Sequence, residues 1–164
     1  MTNDKLRAVF EGLGFEEVAS VLSSGNIVFR SDVADAPVLE QHIEDALARE
    51  LGISSRTFVR TYPELRALVD SDPFPGERHG SSTYLTATFI KHPKTGPTVI
   101  PGQLDPGTRV VRYDNAARAV LAITDNSEPS RARGFMLWLD RSYGTGITTR
   151  SWLTVQRIVS KLER

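Results

Sequence analysis

A chain of 164 residues, 40% hydrophobic and 24% charged, can bury a substantial core without disulfides or metals, because about 150 residues hide roughly 68–70% of their unfolded surface. Its 20 basic and 20 acidic residues balance, unlike the basic excess typical of domain-scale nucleic-acid binders. It has no cysteine, which excludes disulfides, thiolate metal sites, cysteine nucleophiles and iron–sulfur chemistry.

The apolar residues Leu6, Val9, Phe10 and Leu13 follow helical spacing and predict a first helix over about 4–13, capped by Asn3 or Asp4 and closed by Gly14. Two β-rich runs follow, Val18–Leu22 and Ile27–Phe29. The Ser23-Ser24-Gly25-Asn26 link between them predicts a hairpin. Asp35 caps a second helix with Pro37 in its first turn, an apolar stripe of Leu39, Ile43, Leu47 and Leu51, and Gly52 at its end.

Thr57–Arg60 reads as a strand. Thr61 and Glu64 have capping-box spacing and open a short helix carrying Leu65, Leu68 and Val69. A loop over 71–82 holds Phe74 between Pro73 and Pro75. Tyr84–Ile90 alternates as a strand, with Leu85, Ala87 and Phe89 on one face. The proline- and glycine-rich stretch 92–107 suits no regular element. Val110–Tyr113 and Val120–Thr124 then predict a strand pair around Asp114-Asn115-Ala116. Phe135–Leu139 reads as a buried strand, and Trp152, Val155, Ile158, Val159 and Leu162 stripe a C-terminal helix.

The expected fold class is therefore α+β, a single domain over 1–164 with subdomains 1–82 and 83–164. The polar, helical opening lacks the pattern of a secretion signal. The longest apolar run, Phe135–Leu139, falls far short of the roughly 20 residues that span a membrane. A soluble cytoplasmic protein is expected, with no membrane partner.

Charge is unevenly spread: residues 1–82 carry 14 acids and 8 bases, whereas 131–164 carry 2 acids and 7 bases. Such a split either steers an anionic partner to the C-terminal segment or draws the two segments together.

Recognised catalytic patterns are missing. His42, His79 and His92 have no ligand spacing of the HExxH kind, so no metal and no cofactor are expected. There is no G-x-S-x-G elbow. Tyr143-Gly144-Thr145-Gly146 lacks a P-loop lysine. The acidic pairs Glu16-Glu17, Glu44-Asp45 and Asp70/Asp72 would need burial to serve catalysis; Glu44-Asp45 lies off the apolar stripe and reads as solvated. No catalytic residue is assigned, and whether the chain is an enzyme stays open.

Two features are candidate ligand-binding sites. In Ser24-Gly25-Asn26, a turn presents amides, a hydroxyl and a carboxamide, although glycine and asparagine also suit positive φ without any ligand. Thr148, Thr149, Arg150 and Trp152 precede or open the C-terminal helix, where hydroxyls, a cation and free helix N–H groups would converge on an anion. The alternative is that Thr149 or Ser151 caps the helix while Trp152 anchors it.

Three segments, LRAVFEGLGFEEVASVLSSGNIVFRS, RTYPELRALVDSDPFP and TTRSWLTVQRIVSKL, resemble the bacterial family called domain of unknown function 1697. With the helix between the first two they cover somewhat over half the chain. The resemblance implies a ferredoxin-like N-terminal portion and an accompanying α+β portion, and it implies no activity; the residues of the second half themselves read as a β-rich portion closed by the C-terminal helix. Family members begin with an apolar strand and a glycine-rich turn, whereas Met1 here stands almost at the first helix. Residues 92–147 match poorly, and Ser151 replaces a usual asparagine. The expectation is a later start than that of its relatives, or a gap filled by another segment or chain, with a homodimer as one outcome. An upstream stop codon with no apolar strand between it and Met1 would exclude the first version.

Function remains unknown at this level. The specific expectation is a non-enzymatic module binding an anionic ligand, nucleic acid included, around Arg150. The alternatives are a small enzyme acting on a phosphorylated or carboxylated metabolite, and a structural or dimerisation protein. Phe29, Phe58 and Tyr84 offer aromatic rings for stacking bases, but without an RNP-like pattern.

Overall fold

The computed structural model describes residues 2–22, 25–91 and 100–164. Mixed helices and antiparallel sheets make the α+β class. They fall into two compact units, Met1–Thr61 with Arg157–Arg164, and Tyr62–Gln156. Among the described residues no helix is long and apolar enough to cross a membrane.

In the first unit, helix α1 (Asn3–Gly12) leads into the antiparallel strands β1 (Glu16–Val21) and β2 (Asn26–Arg30), then helix α2 (Ala36–Leu51). Thr2 supplies the α1 cap, its hydroxyl accepting from the Lys5 N–H. Neither expected residue does so, because the helix starts a position early: Asn3 donates to the Leu22 carbonyl at 2.8 Å and Asp4 pairs with Arg7. Gly14 takes positive φ just beyond the helix end. In α2, Asp35 accepts from the Val38 N–H and Gly52 ends the helix in the left-handed region, where an L side chain is disfavoured. Leu6, Val9, Phe10, Ile43, Ala46 and Leu47 form the core, with Phe15, Phe29 and Val59 packed against it. Fully burying such a side chain contributes about 1.5–3 kcal/mol.

The strand expected at 57–60 does not form. Carboxylates of α2 replace a strand partner: the Val59 N–H donates to Glu40 Oε2 at 2.9 Å, and the Thr57 N–H to Glu44 Oε1 at 2.8 Å. Glu40 is only 3% exposed. Glu44 is likewise engaged and half-buried rather than solvated, while Asp45 is exposed.

The second unit begins with helix α3 (Tyr62–Asp70) and continues through strands β3 (Thr83–Ile90), β4 (Thr108–Asp114) and β5 (Ala119–Asp125). Helix α4 (Arg133–Tyr143), strand β6 (Ile147–Ser151) and helix α5 (Trp152–Leu162) follow; α5 belongs to this unit as far as Gln156. The sheet order is β4-β5-β3-β6, all antiparallel. The described part of the proline-rich stretch, 100–107, contains no helix or strand apart from an isolated bridge between Asp105 and Thr108.

Phe135–Leu139, expected as a strand, lies inside α4. Phe135 and Leu139 stand four residues apart and face the core with Ile90, Val120 and Ala122, while Met136 and Leu137 are 43% and 50% exposed. Two buried and two exposed residues at that spacing describe one helical face, not a strand. The N-terminus of α4 is closed from a distance. Asp105 accepts the Phe135 N–H at 2.8 Å and the Gly107 N–H at 2.9 Å. The 104–105 backbone comes so close that a Cβ on Gly134 would lie 2.7 Å from the Leu104 carbonyl oxygen.

Candidate functional site: a threonine-floored groove in the second unit

Residues directly opposite in a ladder share a face of the sheet. Tyr84, Thr86 and Thr88 on β3 therefore share one face with Thr124 and Ala122 on β5 and with Ser151 and Thr149 on β6. Helix α4 packs on this face, its core contacts falling at the Ile90 and Val120 end. The other end stays open as a groove of about 640 Å³, with Tyr84, Thr86, Thr124 and Thr149 among its lining residues. Both strand propensity and site chemistry favour threonine here: its branched side chain suits the sheet, and its hydroxyl can donate and accept.

The wall comes from α4. Arg133, Met136, Leu137 and Asp140 line the groove, and their spacing of i, i+3, i+4 and i+7 defines a single helical face. A cation thus begins the stripe, two exposed apolar side chains occupy its middle, and a carboxylate ends it. At the groove's aromatic corner the Tyr84 ring stacks on His79, with centroids 5.2 Å apart and planes 9° from parallel. His79 also accepts the Leu85 N–H through Nδ1 at 3.0 Å, which fixes the stack.

The residues singled out from sequence are separated by this geometry. Thr148-Thr149-Arg150 is strand, not the loop before a helix, so successive side chains alternate in direction. Thr149 faces the groove and shares a 2.9 Å hydrogen bond with the fully buried Thr88 hydroxyl. Arg150, opposite Ala87, lies on the other face. There its Nη1 donates to Thr148 Oγ1 at 2.8 Å and to the Thr149 carbonyl at 3.1 Å. Burial lowers the Arg150 pKa from its usual value, and the group stays charged at neutral pH. Ser151 caps α5, accepting from the Thr154 N–H at 3.3 Å. Trp152 is buried edge-on against Phe74, 5.2 Å between ring centres.

The hairpin candidate lies in the first unit. Gly25 has φ near 77°, and Asn26 donates from Nδ2 to the Val21 carbonyl at 3.2 Å, closing the turn. Ser24 falls outside the described residues, as does His92. His42 is exposed on α2. Among the described residues no three His, Asp or Glu side chains gather as a metal site.

Thr86, Thr124, Arg133 and Asp140 were not singled out by the sequence patterns, and Tyr84 was noted only as a stacking aromatic. The 133/136/137/140 periodicity is a signal in the chain itself, visible once that run is read as helix.

This is an α+β protein whose second unit presents an open, hydroxyl-floored groove. The family model for DUF1697, a protein of unknown function, matches residues 1–104, so the chain belongs to that family. Its fold resembles that of the conserved bacterial protein SP0830 from Streptococcus pneumoniae, with a TM-score of 0.70 and 18% identity over 100% of this chain and 90% of that one. At that identity the likeness concerns fold alone. No curated protein matches the chain. The family match covers the Met1–Thr61 part of the first unit and the second unit as far as Leu104, while the groove's α4 wall lies beyond it.

Proposed function

We propose that the chain is a non-enzymatic binding module for a small anionic ligand, with the groove between α4 and the β5-β3-β6 sheet as its site. The supporting observation is the convergence in one concavity of the Arg133 cation with the hydroxyl-bearing Thr86, Thr124 and Thr149. Its volume of about 640 Å³ suits a small molecule, since such sites typically measure about 300–1,000 Å³. Arg133 is exposed and makes no ion pair among the described residues, leaving the fork geometry that favours carboxylate and phosphate. Arg150 is a weaker anchor for this reading because its Nη1 is held by two oxygens of its own strand.

A chemical-shift titration with inorganic phosphate and acetate, on the chain and on Arg133→Met, tests the proposal. Saturable shifts around Thr86, Thr124 and Arg133 that vanish in the variant are expected. Equal shifts in both proteins, or none, would remove it.

A further inference from the structure

The groove carries a second charge that bears on which anion it would take. Asp140 lines the same wall as Arg133, seven residues along α4. On a helix that separation is about 10 Å along the axis. Asp140 is exposed and, like Arg133, has no salt-bridge partner among the described residues. Between the two charges stand the exposed Met136 and Leu137, and covering their apolar surface with a ligand would be favourable. A polyanion would have to lay further phosphates beside the Asp140 carboxylate, and like charges at short range repel.

We propose that the groove's ligand is dipolar: a short peptide of about three residues with free ends, its carboxylate on Arg133 and its ammonium group on Asp140. This rests on the groove being the binding site. The dimensions agree, since three residues of extended chain span about 10 Å. A peptide backbone presents donors and acceptors together, which threonine hydroxyls can meet in either sense, whereas a floor of carbonyls or amides would match only one. The exposed Met136 and Leu137 suit an apolar side chain at the middle position. Met136 brings an unbranched, adaptable surface that tolerates different side chains there. The position of Asp140 thus disfavours a second negative charge beyond the one Arg133 holds.

The test is a chemical-shift titration of the full chain with the tripeptide Ala-Leu-Ala, its N-acetylated form and its C-amidated form. Free tripeptide should shift the signals of Thr86, Thr124 and Leu137. Each cap should weaken binding by roughly fivefold, the upper worth of an exposed ion pair. N-acetylation should lose its effect in Asp140→Asn, and C-amidation should lose its effect in Arg133→Met. If both caps weaken wild type and variants equally, or a nucleoside monophosphate binds in an Arg133-dependent way while the tripeptide does not, the dipolar ligand is refuted and the anion-binding reading stands. If phosphate, acetate and tripeptide all leave the groove signals unmoved, both fall.

Discussion

Replacing Gly134 with alanine pits two opposed effects against each other at a site where the geometry decides the sign. Gly134 sits in the first turn of α4, and alanine favours helix over glycine by about 0.8–1.0 kcal/mol in a helix interior. The added methyl, however, would lie 2.7 Å from the Leu104 carbonyl oxygen and 3.1 Å from Asp105 Cβ. The obstacle is backbone, and its position is fixed because Asp105 holds both the Phe135 and the Gly107 N–H groups. Forcing extra volume into such a contact costs about 1–3 kcal/mol, which cancels the helix-propensity gain and leaves a net loss of up to about 2 kcal/mol. For a chain of this size a loss at the upper end lowers the melting temperature by roughly 4–8 °C. Gly12, in the last turn of α1 with nothing within 4 Å of its Cβ position, is the matched control; alanine there should be neutral or stabilising by up to about 1 kcal/mol. Thermal and urea denaturation of both variants measures this. A Gly134→Ala protein more stable than the wild type, as the helix-propensity gain alone would make it, would refute the idea that the 104–105 segment is held rigidly against the helix.

Glu40→Leu should cost about 1–3 kcal/mol in urea titrations, because the Val59 N–H loses its buried acceptor; Glu40→Gln, which keeps an acceptor oxygen, should cost less. Thr88→Val and Thr149→Val should each destabilise by about 1–3 kcal/mol, while the double variant costs less than their sum, because neither hydroxyl is then left without its partner. Additive losses would show that the two hydroxyls are not coupled. The Asp125 carboxyl accepts from the hydroxyl and the N–H of Ser127, which lower its pKa. A carboxylate lowered in the folded state adds stability above its unfolded pKa, and that contribution is lost as pH falls through the folded value. Ser127→Ala, which removes the hydroxyl and keeps the backbone N–H, should therefore raise the Asp125 pKa in an NMR titration, and an unchanged midpoint would rule out the hydroxyl hydrogen bond as the larger cause.

Where local chemistry alone decides, the fold was legible. The stripes of α1, α2 and α5 fall on buried and half-buried residues, and Asp35 and Gly52 bound α2 as capping rules require. The hairpin strands, β3 and the β4-β5 pair likewise match their alternating runs. Failures arose where a distant group intervenes. Phe135–Leu139 is too short an apolar run to separate strand from helix by periodicity, and the cap that makes it helical, Asp105, lies thirty residues earlier. Residues 57–60 have strand-like side chains, but a strand needs a ladder, and the partners for Thr57 and Val59 are side chains of α2. In the candidate site, hydroxyls and arginine adjacent in sequence were expected to converge. Once Ile147–Ser151 is a strand, the pleat turns Thr149 and Arg150 to opposite faces. The groove itself needs a register that brings Thr86, Thr124 and Thr149 together from three strands. No local pattern contains that information.

The outer strand β4 has a consequence for how this protein behaves when crowded. Its ladder with β5 is irregular between Val110 and Arg112, and it carries Arg109, Arg112 and Asp114. Arg109 reaches Glu77 at 3.9 Å, and Arg112 is tied to Asp114 and to the Ser71 hydroxyl. A second chain adding itself there would meet a kinked edge and have to strip paired charges of water, the usual protection against open-ended sheet growth. The four-stranded sheet therefore resists extension on its β4 side: concentration by itself gives neighbouring molecules little incentive to join along that border.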